Sequence, residues 1–451
     1  MTAAIESAQA ALASIVGPAK VVTEPAACAT LSVDGRTPQC IVYPASGEQV
    51  AAVLRCAAEH EWAVIPCRNG TKLGIGNPPR RYDIALSLKD MNRVWHYEPD
   101  DLTVTAEAGM KFGDFQHFVG RQGLWLPLDP PGGPRASLGG TVATNACGPL
   151  RLAFGAPRDM VLGMKIATTD GKVIKTGGRV VKNVAGYDIA KLMIGSYGTL
   201  GVIVEASFKL FPLPAERQTF VIAAGTLGIA RDLRRSILAS PLAPLRVLLL
   251  DAGASARMRE GSPAEREKPE PEISLEVGGS PRVIDRCARE LEELAKATGA
   301  RVSRLGSEEA GSFWSRATDV RPWVGRESAR PVVLKAALPD SAGEEFLSRA
   351  EQEAASDKMR AAGFYQGGVG IVQLVLLGAD SEKALVALIG RLRAAAQDLG
   401  GVLMVEDAPL EIKTRVDVWG TAGDDFAVMK RMKALWDPKG ILSPGRFVGG
   451  L

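Results

Sequence analysis

Residues 66–76 read PCRNGTKLGIG, and the fold turns on what this loop holds. It combines a lysine, a threonine and closely spaced glycines, but in the order Gly-Thr-Lys. A nucleotide-hydrolase loop needs Gly-Lys-Ser/Thr after a longer spacer. No G-x-G-x-x-G follows a predicted strand either, so the doubly wound dinucleotide fold has no fingerprint here. Immediately upstream, AVIPC (63–67) reads as a short buried strand. Before that, YPASGEQVAAVLRCAAEHEW starts a helix: Ser46 and Gln49 fit a capping box, and Val50, Val53, Leu54, Ala57 and Ala58 share one helical face. The loop therefore sits at the carboxyl end of a strand in an α/β unit.

Working outward, DIALSLKDM and LTVTAEAG read as strands and KFGDFQHFVGRQG as a short helix. LDPPGGPRASLGGTVATNACGPL (128–150) is a second glycine-rich loop with a short helix starting near Ser137. MVLGMKIATTDGKVIKTG is a hairpin with Asp170-Gly171 in its turn. In GVIVEASFKLF (201–211), Val202, Val204, Ala206, Phe208 and Leu210 point one way, and Pro212 and Pro214 close the unit. Three glycine-rich segments, 68–76, 132–148 and 195–201, thus precede residue 203. Glycine lets backbone approach a ligand closely, and successive N–H groups make anion-binding nests. Several such loops in one α/β domain imply a large phosphorylated cofactor.

Beyond residue 215 the pattern is strand (219–224), helix (226–239), strand (244–250), then GASARMREGSPAEREKPEPE (253–272), expected to be a surface insertion. Strands and helices resume through 405, in an order that fits an α+β sheet covered by helices on one face, with two similar halves. One helix (424–435) and a Pro/Gly-punctuated tail end the chain. With 451 residues, 46% hydrophobic and 23% charged, the chain suits a multidomain globular protein. A net charge of +3 gives no case for nucleic acid. Cysteines 28, 40, 56, 67, 147 and 287 form no C-x-x-C pair and read as reduced thiols. With no secretory or membrane-spanning run, the expected location is cytoplasmic, and peripheral attachment at the inner face of a membrane through a partner stays open.

Three stretches together carry a resemblance: IVYPASGEQVAAVLRCAAEHEWAVIPCRNGTKLGIG, SLGGTVATNACGP and GSYGTLGVIVEASFKL. They are similar to the FAD-binding domain of the family of vanillyl-alcohol oxidase and para-cresol methylhydroxylase. The resemblance implies an α+β fold of two FAD-binding subdomains plus an α+β cap. Its expected boundaries are an amino-terminal helical segment (1–34), an FAD-binding domain (35–215), a cap (216–405) and a carboxyl-terminal segment returning to the FAD domain (406–451). It implies that Arg68, Asn69, Gly70, Thr71, Lys72 and Leu73 face the FAD pyrophosphate. Ser137, Gly139, Gly140, Thr144, Asn145 and Gly148 would form a second wall, and Gly201, Val202 and Ile203 would meet FAD through main chain. Many relatives attach flavin through a histidine in the first loop. None is present here, so FAD is expected to be non-covalent.

GGRVVKNVAGYDIAKLMIGSYGTLGVI (177–203) and DPKGILSPGRF (437–447) more closely resemble the smaller FAD-binding subunits of bacterial glycolate oxidases. The larger, catalytic flavoprotein of such complexes carries G-H-x-G-D-G-N-x-H, whose histidines serve as metal ligands and base. Here the corresponding region is GFYQGGVGIVQL (363–374), without histidine. The chain's histidines, His60 at a helix end, His96 in a polar turn and His117 on a short helix, read as structural or surface groups. No metal site is expected, and no catalytic base is assigned. Tyr187 and Lys182 read as packing and surface charge. Arg316 and Arg321 are candidates for clamping a substrate carboxylate, with an ordinary salt bridge equally open. The resemblance implies an FAD-carrying subunit of a glycolate- or lactate-type dehydrogenase complex, beside a catalytic flavoprotein and an iron–sulfur subunit, carrying electrons from a small 2-hydroxy acid. A self-sufficient 2-hydroxy acid dehydrogenase and a subunit that FAD merely stabilises are the alternatives.

Overall fold

In the computed structural model, residues 2–178, 187–259, 269–324, 332–378 and 381–451 are described. The chain forms two compact units. The first comprises residues 1–147, 156–213 and 421–451; the second comprises 148–155 and 214–420.

In the first unit, β1 (Val21–Val22), β2 (Cys40–Val42), β3 (Val64–Cys67) and β4 (Ile84–Ser87) form a sheet of order β1-β2-β4-β3. Strands β2, β4 and β3 are parallel, which requires a crossover. The helix Gly47–Glu59 supplies it. Ser46 Oγ accepts from Gln49 N at 3.2 Å, as the capping reading expects. Gln49 Oε1, however, accepts from Ala45 N at 2.7 Å, one residue further back than in the standard box. Val50, Val53, Leu54 and Ala57 are fully buried, so the periodicity did mark the core face.

A second sheet follows: β5 (Val94–Glu98), β6 (Thr103–Glu107), then the short β7 (Leu124–Trp125), β8 (Val161–Ala167), β9 (Val173–Gly177), β10 (Val202–Lys209) and the short β11 (Phe211–Pro212). Its order is β5-β6-β10-β8-β9, antiparallel throughout, while β7 pairs with β11. The β8–β9 hairpin turns through Gly171 at φ +83°. Val202, Val204, Ala206, Phe208 and Leu210 are buried along one face of the central strand and just beyond it. The expected polar turn at His96 is instead part of β5, where His96 lies opposite Thr105. Trp95, His96 and Glu98 are exposed, as suits an edge strand, where polar side chains remain solvated.

The second unit is built on eight strands: β12 (Glu216–Ala223), β13 (Arg246–Leu250), β14 (Glu272–Gly279), β15 (Arg301–Leu305), β16 (Val332–Ala337), β17 (Arg360–Gln366), β18 (Ile371–Leu377) and β19 (Val402–Asp407). Their order is β15-β12-β14-β13-β17-β18-β16-β19. Each half runs strand, helix, strand, strand, helix, strand, with main helices Leu227–Ala239 and Pro281–Lys296 in one and Gly343–Ser356 and Glu382–Asp398 in the other. Two split βαβ units therefore lie side by side, joined where β13 pairs with β17.

The four long helices bury one sheet face. The expectation that only one face is covered is incorrect. Helices Ala252–Arg259 and Ser307–Thr318 pack Ala254, Met258, Phe313, Trp314 and Ala317 on the other. The start of the expected surface insertion is accordingly a packed helix. Its small residues permit close approach: a Cβ on Gly253 would sit 2.9 Å from Ala361 O. Residues 260–268 of that stretch, and Lys182, lie outside the described residues. Among the described residues no helix is long and apolar enough to cross a membrane.

Candidate functional site

Strand β3 is the edge of the parallel sheet, and at its carboxyl end the loop 68–76 borders a cleft of ≈ 880 Å³, mouth included. Open α/β sheets bind ligands at this position. Residues 68–73 form one wall. Ser137, Gly139, Gly140, Ala143 and Thr144 form a second, and Tyr197, Gly198, Gly201, Val202 and Ile203 a third. Segments distant in sequence thus converge in one unit.

The walls brace one another. Lys72 Nζ donates to Pro131 O at 2.6 Å and Asn69 Nδ2 to Arg135 O at 2.7 Å, tying the first loop to the second. Lys72 therefore acts through the neighbouring loop. Gly132, at φ +88°, could not carry a side chain, since its Cβ would lie 3.0 Å from Thr71 Cβ. Ser137 Oγ accepts from Gly140 N at 3.2 Å and starts the helix Leu138–Ala143. Gly139 N donates to Ala108 O at 2.8 Å, and a Cβ there would meet Ala108 Cβ at 2.8 Å. Tyr197 N donates to Ala143 O at 2.8 Å, joining the third wall to the second.

Two cleft residues, Tyr197 at φ 54° and Ser443 at φ 45°, are held in the left-handed region, as is Asn145 at φ 47°. That conformation is costly outside glycine and clusters at functional sites. Thirteen of the fifteen residues expected to bind cofactor line the cleft. Asn145 and Gly148 do not: Asn145 follows Thr144 just beyond the helix, and Gly148 belongs to the second unit. Asn145 Oδ1 is buried and accepts no hydrogen bond among the described residues.

The sequence reading missed the cleft's floor and its carboxyl-terminal rim. Ile65, Pro66 and Cys67 come from β3 itself, and Ser443 and Arg446 from the chain's end. The Ser-Pro-Gly-Arg punctuation at 443–446 was the available signal. Burial pushes the Cys67 thiol up to about 12, which disfavours the thiolate.

No imidazole lines the cleft. His60 has Nδ1 2.9 Å from Cys56 O and stacks on Trp62, His96 is in β5, and His117 is on the helix Phe112–Gly120. In the second unit, Arg321 donates to both carboxylate oxygens of Asp319, at 2.7 and 2.8 Å, so its fork is already engaged. Arg316 is on the helix Ser307–Thr318, and its buried Nε has no hydrogen-bond partner among the described residues. The hairpin β17–β18 turns on Gly368 and Gly370, at φ +83° and +69°, and Gln373 Nε2 donates to Glu406 Oε2 at 2.7 Å.

Residues 38–177 match the FAD binding domain, and residues 213–447 match the C-terminal domain of FAD linked oxidases. The second match spans over half of the chain, which belongs to the FAD-linked oxidases. The chain is 25% identical to glycolate oxidase subunit GlcD of Bacillus subtilis, over 91% of this chain and 88% of that protein. It is 28% identical to D-lactate dehydrogenase of Archaeoglobus fulgidus, over 90% of this chain and 91% of the other. Among solved structures, p-cresol methylhydroxylase superposes with a TM-score of 0.78 at 17% identity, over 99% of this chain and 97% of that one. Alkyldihydroxyacetonephosphate synthase gives 0.77 at 17% identity, over 98% and 86%. These two likenesses establish the vanillyl-alcohol oxidase type of fold. The protein is an FAD-linked oxidoreductase with FAD as its cofactor, related to glycolate oxidase subunit GlcD and to D-lactate and D-2-hydroxyglutarate dehydrogenases.

The cleft fits such a group. Its walls are glycine-rich backbone, in which Gly139 and Gly201 pack too closely on Ala108 and Ile166 to carry a Cβ, and the buried Asn145 Oδ1 next to it has no hydrogen-bond donor among the described residues.

Proposed function

We propose that this chain is the FAD-carrying subunit of a 2-hydroxy acid dehydrogenase complex of the glycolate or lactate type, and that it carries electrons while a partner flavoprotein oxidises the substrate. In this reading the first unit is the FAD-binding domain and the second is the cap. Main-chain N–H groups of residues 68–73 hold the pyrophosphate, with Ser137, Gly139, Gly140 and Thr144 as the facing wall and residues 201–203 contacting the cofactor through backbone. Asn145 supports that wall from the helix end. FAD is held non-covalently, because the first loop offers no histidine and Cys67 is neutral. When bound, FAD supplies the electron-accepting chemistry.

One observation carries the reading. Oxidising a 2-hydroxy acid requires a base for the hydroxyl proton and a partner for the developing charge. If Gln366 is set on the first histidine of G-H-x-G-D-G-N-x-H, then Gly368 and Gly370 fall on its second and third glycines and Tyr365 on its first. Gln373 then falls on the second histidine and Ile371 on the asparagine. Gln366 and Gln373 share one sheet face, Gln373 lying opposite Phe364 and Gln366 opposite Ile371. Neutral amides thus stand where the catalytic relatives place imidazoles, and an amide cannot take a proton near neutral pH. The relationship to a protein named as a glycolate oxidase subunit supports partners, here a catalytic flavoprotein and an iron–sulfur protein.

The test is anaerobic mixing of the FAD-loaded chain with glycolate, D-lactate or D-2-hydroxyglutarate, read as flavin absorbance near 450 nm. The chain alone should stay oxidised, and bleaching should need co-purified partners. Prompt bleaching by the chain alone would instead identify a self-sufficient dehydrogenase. Full turnover of a complex whose Gly140→Val chain has lost FAD would assign the flavin a stabilising role only.

A further inference from the structure

The chain's last residues are built into the cleft at more than one wall. Residues 441–443 extend the parallel sheet at its free edge. Val64 N donates to Ile441 O at 2.8 Å, Ser443 N donates to Val64 O at 2.9 Å, and Val64 and Leu442 form a parallel bridge. Beyond them Arg446, 6% exposed, places Nη2 2.5 Å from both Leu73 O and Ile75 O, at the far end of the first loop. Asn77 N donates back to Arg446 O at 3.1 Å. The segment therefore grips the first wall on both sides: at β3, where the loop begins, and at 73–77, where it ends.

The third wall is held by a buried lysine. Lys433 points inward from the helix Phe426–Trp436, and its Nζ donates to Thr199 O at 2.8 Å, Leu442 O at 2.8 Å and Asp437 Oδ2 at 2.6 Å. All three ammonium donors are thereby used. Asp437, 2% exposed, also accepts from Ile441 N and Leu442 N at 3.1 and 2.8 Å. Next to this contact, Tyr197 and Phe447 pack with ring centroids 5.6 Å apart. A buried cation is tolerated only while its acceptors are in place. Lys433 and Arg446 therefore stay buried with their partners only when residues 73–75 and 199 hold these positions.

We propose that Arg446 and Lys433 are positioning residues for FAD, and that the carboxyl-terminal segment 437–447 is a latch whose docking and FAD binding stabilise each other. This rests on the assignment of the cleft to FAD. Whatever binds the docked form must favour docking, and docking must in turn tighten binding by the same factor.

The experiment compares wild type with Arg446→Met, Arg446→Lys, Lys433→Met and, as a control on an exposed ion pair outside the latch, Lys172→Ala. FAD dissociation is followed by recovery of flavin fluorescence, and amide hydrogen exchange of residues 437–447 is measured with and without FAD. Arg446→Met and Lys433→Met should release FAD at least roughly tenfold faster, a cost typical of unpairing a buried polar group. Arg446→Lys should fall between, and Lys172→Ala should match wild type. In wild type, FAD should slow exchange across 437–447; in Arg446→Met it should not. A purely structural role would lower the melting temperature of apo and FAD-loaded protein alike and leave the release rate unchanged. Should the Met variants fail to fold, wild-type exchange decides alone: equal exchange with and without FAD overturns the latch. Loss of FAD by Gly140→Val together with wild-type release from Arg446→Met rejects the latch and keeps the cleft. Wild-type FAD binding by both rejects the cleft assignment itself.

Discussion

The two units of this chain obtain specificity by opposite means. The first presents backbone: its cleft is walled by glycine loops, and the side chains among them mostly brace neighbouring loops, as Lys72 does on Pro131 and Asn69 on Arg135. The second places ionised side chains inside its packing. Arg234, 1% exposed on the helix Leu227–Ala239, donates to Glu344 at 2.6 Å and Asp340 at 2.9 Å and lies over the Tyr365 ring, while the sheet of the same unit buries Arg246 with Glu276. A backbone cleft recognises a ligand by shape and N–H direction. A buried ion network fixes how its elements pack and punishes removal of any member.

That contrast predicts where damage should appear. The largest effect belongs to the second unit. Arg234→Met leaves Glu344, 4% exposed, without its main cation, and should cost about 3–5 kcal/mol by denaturant titration. FAD bound per folded chain should be unchanged. Loss of FAD in step with stability would show that the division of labour is wrong.

Next in size is a pH effect on Asp251, in the same unit. Its oxygens accept from Ala254 N at 2.7 Å and Gly363 N at 2.6 Å, yet burial pushes the carboxyl up to about 7, with Glu351 raising it further and Arg257 opposing. The folded state then holds a proton that the unfolded state has released. The contribution to stability is complete below the ordinary aspartate value near 4 and is lost as pH rises through about 7. Between pH 5 and 8 that amounts to roughly 2–3 kcal/mol. Asp251→Asn should flatten this slope in melting curves recorded across pH; an unchanged slope assigns it to other groups. The smallest effect tests the first unit. Thr71→Val keeps the loop backbone and removes one hydroxyl, worth about 1 kcal/mol, so the FAD dissociation constant should rise less than roughly tenfold. A much larger rise would move recognition from main chain to side chain.

The same contrast explains what could be read in the sequence. The lining of the cleft was largely legible because its walls are written locally, in runs such as SLGGTVATN and GSYGTLGVI. The α+β sheet of the second unit and its two halves were legible from strand and helix order, but the strands Arg301–Leu305 and Arg360–Gln366 were not. The unread parts depend on contacts between residues far apart. Arg234 meets Glu344 across 110 residues and Lys433 meets Thr199 across 234, and no local pattern encodes such pairs. The helix Ala252–Arg259 was missed because its small and polar composition resembles a loop. It is helical because Ala254 and Met258 find a sheet face to cover. Gly148 closes the same motif but does not line the cleft and belongs to the second unit.

The most direct test of a non-covalent FAD gripped by backbone in the first unit is the flavin content of acid-precipitated protein. Wild type and Gly140→Val would be purified together, precipitated, and FAD counted per chain in supernatant and pellet. A Cβ at residue 140 meets only Ser137 Oγ, at 3.0 Å, so the valine should fill the cleft without dismantling the fold. The expected result is one FAD per wild-type chain, all in the supernatant, and almost none from Gly140→Val at an unchanged apo melting temperature. Flavin remaining in the pellet, or equal FAD from both chains, would contradict it.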